Sequence, residues 1–154
     1  MKVGFACDHA GLSLREAVTA AIRGRGHEMM DLGVFTPDPV DYPDIAEALG
    51  RAVQSGQVDR GVLVCGSGVG GAVAANKLHG VRAGQCHDTY SAHQAVEHDN
   101  ANVLALGSRV IGPALAVELV QTFLAAAFSG EDRHLRRLAK VAALEQKEAR
   151  RPPE

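Results

Sequence analysis

The sequence is poor in aromatic residues and has no long apolar run. It contains no Trp, two Tyr and four Phe among 154 residues, so it offers few ring faces on which nucleic-acid bases could stack. Its formal net charge of -2 gives no attraction to nucleic acid or to an anionic membrane surface. No stretch approaches the roughly 20 apolar residues that a membrane-spanning helix needs. We therefore expect neither nucleic acid nor membrane as a partner.

Cysteine is also scarce. The three cysteines, Cys7, Cys65 and Cys86, are an odd number without the spacing of a disulfide framework, which favours free thiols in a reducing compartment. The N-terminal segment meets Asp8 after a short apolar run, which is not typical of a signal peptide. We therefore expect a cytoplasmic protein. No Cys or His pair has zinc-site spacing, and we expect no metal.

What the sequence does contain is an alternation of short apolar runs with helical patterns. Apolar runs at 3–7, 28–32, 61–65, 81–86 and 102–106 predict five strands, and apolar residues at helical spacing lie between them. Repeated strand–helix units predict a parallel sheet covered by helices on both faces. The sequence thus predicts an α/β fold, a Rossmann-like three-layer α/β/α domain with a five-stranded parallel sheet.

An extended C-terminal helix is predicted from Glu131 to about Arg150, with no strand after it. This segment is rich in Arg and Lys yet carries Leu135, Leu138 and Leu144, so we expect it to reach a second subunit. Because the chain is short and has no linker, we expect one domain over residues 1–150 and a frayed tail over 151–154.

In a doubly wound sheet, ligands bind at the carboxyl ends of the strands. That rule selects three loops, which follow Cys7, Cys65 and Leu106. The first loop places Asp8 and His9 before a helix, where Asp8 could equally be an N-cap. The third loop offers Arg109 as a possible anion ligand.

The loop that follows Cys65 supports two hypotheses. Gly66, Gly68 and Gly71 spell G-x-G-x-x-G, and Asp88 stands about 20 residues further on, as in a dinucleotide-binding domain. That fingerprint normally follows the first strand, whereas this loop follows the third.

The alternative hypothesis makes the Cys65 thiol the functional group. It stands at a strand end before a helix N-terminus, which favours a thiolate. Most cysteines of this kind are buried and inert, and we expect Cys7 and Cys86 to be so.

Basic residues near the C-terminus form a second candidate site. Arg133 and Arg137 stand four residues apart and hence on one face of the predicted helix. Two adjacent guanidinium groups favour a phosphate between them, although a solvated basic face is the alternative. His98 stands at a helix end, where a positive charge is favoured.

Taken together, these segments resemble the type B ribose-5-phosphate isomerases, a family that includes galactose-6-phosphate isomerase subunits. The matching segments span nearly the whole chain in the family's order: CDHAG (7–11), DYPD (41–44), CGSGVG (65–70), AANK (74–77), GVRA (80–83), NVLALGSR (102–109) and RH-x-x-R (133–137). The resemblance implies a phosphosugar aldose–ketose isomerase that works through an enediolate without metal or cofactor. It also implies a homodimer or tetramer with active sites at the subunit interface.

The resemblance also implies roles for individual residues. Cys65 would be the base that moves a proton between C1 and C2, Ser67 would assist it, and His98 would open the furanose ring. The loop of Gly66, Gly68, Val69 and Gly70 would donate N–H bonds to the developing oxyanion. Sugar or phosphate contacts would come from Asp8, His9, Tyr42, Asp99, Arg109, Arg133 and Arg137. Of these residues, His9 and the three arginines resemble a phosphate clamp. His98 and Arg109 would come from the neighbouring chain.

Asp99 departs from the family pattern, which usually has Asn after the ring-opening histidine. A carboxylate can only accept hydrogen bonds, and it repels both a phosphate and an enediolate. Either Asp99 turns away and Asn100 replaces it, or the preferred sugar differs from ribose. Allose 6-phosphate, galactose 6-phosphate and erythrulose 4-phosphate are the alternative substrates, and a dinucleotide-binding module is the alternative of another class.

Overall fold

The computed structural model describes residues 1–150, in which strands and helices alternate up to the last helix. The strands are β1 (Lys2–Cys7), β2 (Glu28–Asp31), β3 (Arg60–Cys65), β4 (Ala83–Gln85) and β5 (Val103–Gly107). The helices are α1 (Leu12–Gly24), α2 (Tyr42–Gln54), α3 (Val69–Ala75), α4 (Thr89–Asp99), α5 (Pro113–Ala125) and α6 (Asp132–Ala149). A short 3-10 turn, His9–Gly11, precedes α1. The predicted tail at 151–154 lies outside the described residues.

The five strands form one parallel sheet in the order β2-β1-β3-β5-β4. This arrangement confirms the predicted α/β fold. The strand register places the carboxyl ends at one edge, because Cys7 pairs with Val64 and Cys65 pairs with Gly107. The order reverses between β1 and β3, and a ligand crevice is expected at the carboxyl edge of that point.

The sheet is buried on both faces, which explains why its strands are continuous apolar runs. Alternate residues of a strand point to opposite faces. Val62 and Val64 therefore join the core beneath α1, α4 and α5, while Leu63 joins the core beneath α2 and α3. One core lies on each face of the sheet, so the sheet and its two layers of helices form the three predicted layers.

β4 is shorter than its apolar run predicts. The run covers 81–86, whereas the strand covers only Ala83–Gln85. β4 is an edge strand, and the side chain of Asn76 binds its first residue: Oδ1 accepts from Ala83 N over 2.8 Å and Nδ2 donates to Ala83 O over 2.9 Å. The same residue is the C-cap that ends α3.

α6 confirms the predicted C-terminal helix and lies along the amino edge of the sheet. Near its end, Glu145 accepts a hydrogen bond from Gly80 N over 2.9 Å, in the loop before β4. Several large apolar side chains of α6 are at least half exposed in the single chain, namely Leu135, Val141 and Leu144. Within residues 1–150, no helix has the length and apolar character needed to cross a membrane.

Candidate active site

The loop after β3 holds the Cys65 thiol against a backbone donor. Cys65 is only 5% exposed, and the N–H of Gly68 donates to its Sγ over 3.2 Å. Gly68 has a φ of +81°, in the left-handed region that favours glycine. An N–H directed at sulfur stabilises a thiolate more than a thiol. The local backbone thus provides a fixed donor at the predicted base.

Side chains at the end of β4 hold Ser67 and the end of β5. The hydroxyl of Ser67 is exposed and accepts from Val69 N over 3.2 Å, while its carbonyl accepts from Gln85 Nε2 over 2.7 Å. His87 Nε2 accepts from Gly107 N over 2.9 Å, so the imidazole is neutral with its proton on Nδ1. Burial lowers the pKa of His87 in agreement with that state.

Gln85 and His87 are residues that the sequence analysis missed. The available signal was their position at the end of β4, at the same edge as the predicted loops.

The loop after β1 places Asp8 and His9 at the same edge. Asp8 is 5% exposed, and its Oδ1 accepts from Gly11 N over 2.9 Å, which confirms the capping alternative. His9 Nδ1 accepts from Val40 N over 3.2 Å. That hydrogen bond assigns the proton of a neutral His9 to Nε2, which is then a donor for an anion.

Tyr42 and Arg109 complete this side of the site. The ring of Tyr42 packs on Gly70, and the Nε of Arg109 lies 3.6 Å from the position that a Cβ on Gly66 would take. The N–H of Arg109 also donates to Gly66 O over 2.9 Å. The resemblance assigns Arg109 to the site of the neighbouring chain; within its own chain, the backbone hydrogen bond and the position of Nε place it beside Gly66.

We define the carboxyl-edge cluster as Asp8, His9, Tyr42, residues 65–70 and Arg109. The prediction that loops after β1, β3 and β5 lie together is confirmed. The carboxyl edge beside the β1–β3 reversal therefore carries a thiol, an imidazole, a phenol and a guanidinium group.

The remaining predicted residues form an amino-edge cluster, defined as His98, Asp99, Arg133 and Arg137. α4 runs back from the carboxyl edge, and its 11 residues span about 16 Å. His98 at its end therefore lies one helix length from the Cys65 edge, near the start of α6. The structure of one chain keeps the two clusters apart.

Charge within the amino-edge cluster is partly paired. Arg133 Nε contacts Glu131 Oε2 at 2.7 Å, so this arginine already has a carboxylate partner. Among residues 1–150, no ion pair includes Arg109 or Arg137, and both side chains are exposed. Asp99 is exposed at the last position of α4, and Asn100 follows with a left-handed φ of 46°.

The other two thiols are buried, and Asp88 has a structural role. Burial raises the pKa of Cys7 and raises that of Cys86 to about 11, so both thiols stay protonated at neutral pH. Asp88 accepts from Ser91 N over 2.7 Å and caps α4. One oxygen of the carboxylate that the dinucleotide hypothesis needs therefore serves as a helix cap. Residues 1–150 contain no group of three or more His, Cys, Asp or Glu side chains placed to hold a metal ion.

Comparison with known proteins identifies the family. The model of the ribose/galactose isomerase family matches residues 3–141. The chain belongs to this family. It is 42% identical to ribose-5-phosphate isomerase B of Escherichia coli over 95% of this chain and 97% of that protein. It is 41% identical to D-erythrulose-4-phosphate isomerase of Pectobacterium atrosepticum over 84% of this chain and 86% of that protein.

A solved member of the family has the same fold. The Clostridium thermocellum ribose-5-phosphate isomerase B superposes with a TM-score of 0.93 at 42% identity, covering 96% of this chain and 99% of that one. The resemblance inferred from sequence is confirmed. The chain is therefore an enzyme, a sugar-phosphate aldose–ketose isomerase.

Proposed function

We propose that the chain interconverts ribose 5-phosphate and ribulose 5-phosphate through an enediolate, with Cys65 as the base. The observation that carries this proposal is the Cys65 sulfur, which lies 3.2 Å from the Gly68 N–H at the crevice between β1 and β3. The reaction requires a base beside C1 and C2 and donors for a negative oxygen. Both requirements fit this loop.

The chemistry is a pair of proton transfers on the open-chain sugar. The Cys65 thiolate removes the C2 proton of the aldose, and the resulting thiol returns a proton to C1. The O2 hydroxyl proton must pass to O1, and we assign that relay to the exposed hydroxyl of Ser67. N–H groups in the first turn of α3, including Gly70, have no carbonyl partner within the helix and stabilise the enediolate oxygen.

Phosphate binding and ring opening need both clusters. His9 Nε2 and Arg109 are available at the carboxyl edge, whereas His98, Arg133 and Arg137 lie at the amino edge. A second copy with its amino-edge cluster against the first copy's crevice would complete the site. An isologous dimer forms two such sites by symmetry, and the half-exposed apolar residues of α6 support that assembly.

One observation favours a different sugar as the second candidate. Asp99 is exposed directly after His98, and its carboxylate would repel a bound phosphate or enediolate. Relatives carry several substrate names, among them a galactose-6-phosphate isomerase subunit of Clostridium acetobutylicum that is 34% identical over 83% of this chain. Allose 6-phosphate, galactose 6-phosphate and erythrulose 4-phosphate are therefore the alternatives.

A substrate panel tests the proposal. We would compare kcat/KM for the ribose, allose, galactose and erythrulose phosphates, using the wild type and Asp99→Asn. We expect ribose 5-phosphate to be preferred by at least about tenfold, a difference of about 1.4 kcal/mol in transition-state binding. Equal or greater preference for another sugar would favour the second candidate. Saturable binding of NAD by calorimetry, without turnover of any sugar, would instead support the dinucleotide hypothesis.

A further inference from the structure

A second histidine lies directly against His98. The imidazole rings of His98 and His134 stack with centroids 4.2 Å apart and planes inclined by 29°. The side chain of His98 is 28% exposed, whereas His134 is only 1% exposed and is the buried residue of α6. One face of the proposed ring-opening acid is therefore covered by a buried imidazole from another helix.

A serine anchors the ring of His134. Ser129 Oγ lies 2.6 Å from His134 Nδ1 and also accepts from Glu131 N over 3.3 Å. The N–H of Ser129 donates to the carbonyl of Glu97 over 3.0 Å. Because Glu97 directly precedes His98, Ser129 connects the backbone of α4 to the ring that stacks on His98.

The other nitrogen of His134 has an unusual environment. Among the residues described, His134 Nε2 is the one buried side-chain nitrogen or oxygen without a hydrogen-bond partner. A neutral ring that donates from Nδ1 to Ser129 leaves only a lone pair unpaired there, whereas a protonated ring would bury an unpaired N–H. Burial, followed by the proximity of His98 and Arg133, lowers the pKa of His134. A neutral imidazole therefore faces His98.

We infer that His134 is a positioning residue for His98, fixing the plane in which His98 presents its acidic nitrogen to the sugar-ring oxygen. This inference rests on the proposed ring-opening role of His98. A neutral aromatic face stabilises a neighbouring imidazolium, whereas a second positive ring would repel it. The charged or titratable groups around the stacked pair are His93, Glu97, Glu131, Arg133 and Arg137.

Two rates separate positioning of His98 from a general structural effect. Ribulose 5-phosphate is acyclic, because its O5 carries the phosphate and cannot close a furanose. Exchange of its C1 hydrogen in deuterium oxide therefore needs the enediolate step but no ring opening. Conversion of ribose 5-phosphate needs both steps. Loss of His98 positioning should lower conversion and leave C1 exchange almost intact, whereas a damaged site should lower both.

The variants are His134→Leu, which removes the aromatic ring, and His134→Phe, which retains one. We expect His134→Leu to lower conversion about tenfold, within the range that a positioned acid contributes, and to change C1 exchange less than about twofold. We expect His134→Phe to regain most of the conversion. His79→Gln, an exposed histidine elsewhere at the amino edge, should change neither rate. If His134→Leu does not fold, Ser129→Ala releases the anchor and should lower conversion selectively.

Equal losses of the two rates in a folded variant, or a His134→Phe enzyme no better than His134→Leu, would overturn the inference. A wild type that neither converts nor exchanges these sugars would instead refute the proposed function. NMR titration of the His98 imidazole in wild type and His134→Leu is independent of turnover. An unchanged titration curve together with an unchanged orientation of the His98 ring would also exclude the positioning role.

Discussion

The ring of Tyr42 lies so close to Gly70 that a Cβ on this glycine would come within 2.9 Å of the Tyr42 Cε2 and Cζ atoms. The Tyr42 ring at the start of α2 can therefore lie on the start of α3 only because residue 70 has no side chain. Tyr42 is 43% exposed, so an added methyl group can displace the ring into solvent. We expect Gly70→Ala to raise KM several-fold through the loss of this ring.

A double-mutant cycle checks that explanation. If Gly70→Ala acts by displacing Tyr42, it should add less than about 0.5 kcal/mol to the effect of Tyr42→Ala, because the ring is already absent. Full additivity of the two changes in kcat/KM would contradict the displacement.

Replacement of Cys65 tests the base. Cys65→Ala removes the proposed base, so both conversion of ribose 5-phosphate and C1 exchange of ribulose 5-phosphate should fall at least about a hundredfold. Calorimetry should still detect ribose 5-phosphate binding, because the phosphate ligands remain. Cys86→Ala is a matched control, since its thiol is buried with a pKa of about 11. Near-normal rates in Cys65→Ala would rule out the proposed base.

Alanine substitutions at Gly68 and Gly56 distinguish the cost of backbone strain from the cost of close packing. Both have positive φ, at +81° and +71°, but a Cβ on Gly68 would lie 3.0 Å from the Leu106 carbonyl carbon, whereas Gly56 faces open space. Each alanine substitution costs about 1–2 kcal/mol for the left-handed conformation. Gly68→Ala should destabilise the protein further, as measured by urea unfolding, and should also lower kcat. Equal losses of stability in the two variants would exclude the packing effect.

The sequence predicts the carboxyl-edge cluster well because its loops directly follow the apolar strands. Asp8, Cys65 and Arg109 each stand within two residues of such a strand, and parallel strands bring their ends to one edge. The position of Gln85 and His87 at the end of the fourth apolar run marks them for this edge, but the supporting roles of their side chains could not be predicted. They depend on β4 lying beside β5 at the far edge of the sheet, and the order of strands along the chain does not determine that.

The amino-edge cluster shows a different limit. Helical spacing correctly predicts that Arg133 and Arg137 belong to one helix, but it does not reveal the Glu131 side chain bound to Arg133. The His98–His134 stack likewise cannot be predicted from sequence, because it depends on where α6 packs against α4. Contacts between side chains of two separate helices were therefore the least predictable part of the site.

His87 predicts a pH dependence of stability. Burial lowers its pKa in the folded state, so near pH 6 the unfolded chain binds more protons than the native one. The stabilising contribution of His87 is therefore complete above the ordinary histidine pKa of about 6.5 and is lost as the pH falls through the lower native value. Urea midpoints measured from pH 8 to pH 5 should fall less steeply for His87→Gln than for wild type. Identical slopes would show that His87 does not titrate with unfolding.

A subunit-mixing experiment tests whether the two clusters meet across an interface. Cys65→Ala and His98→Leu should each be inactive in conversion of ribose 5-phosphate, since each removes one half of every site. A mixed dimer, however, contains one site with both native residues, contributed by opposite chains. Random reassociation makes half of the dimers mixed, with one active site of two, so about a quarter of wild-type activity should return. No recovery after verified exchange of subunits would mean that Cys65 and His98 do not act in a shared interfacial site.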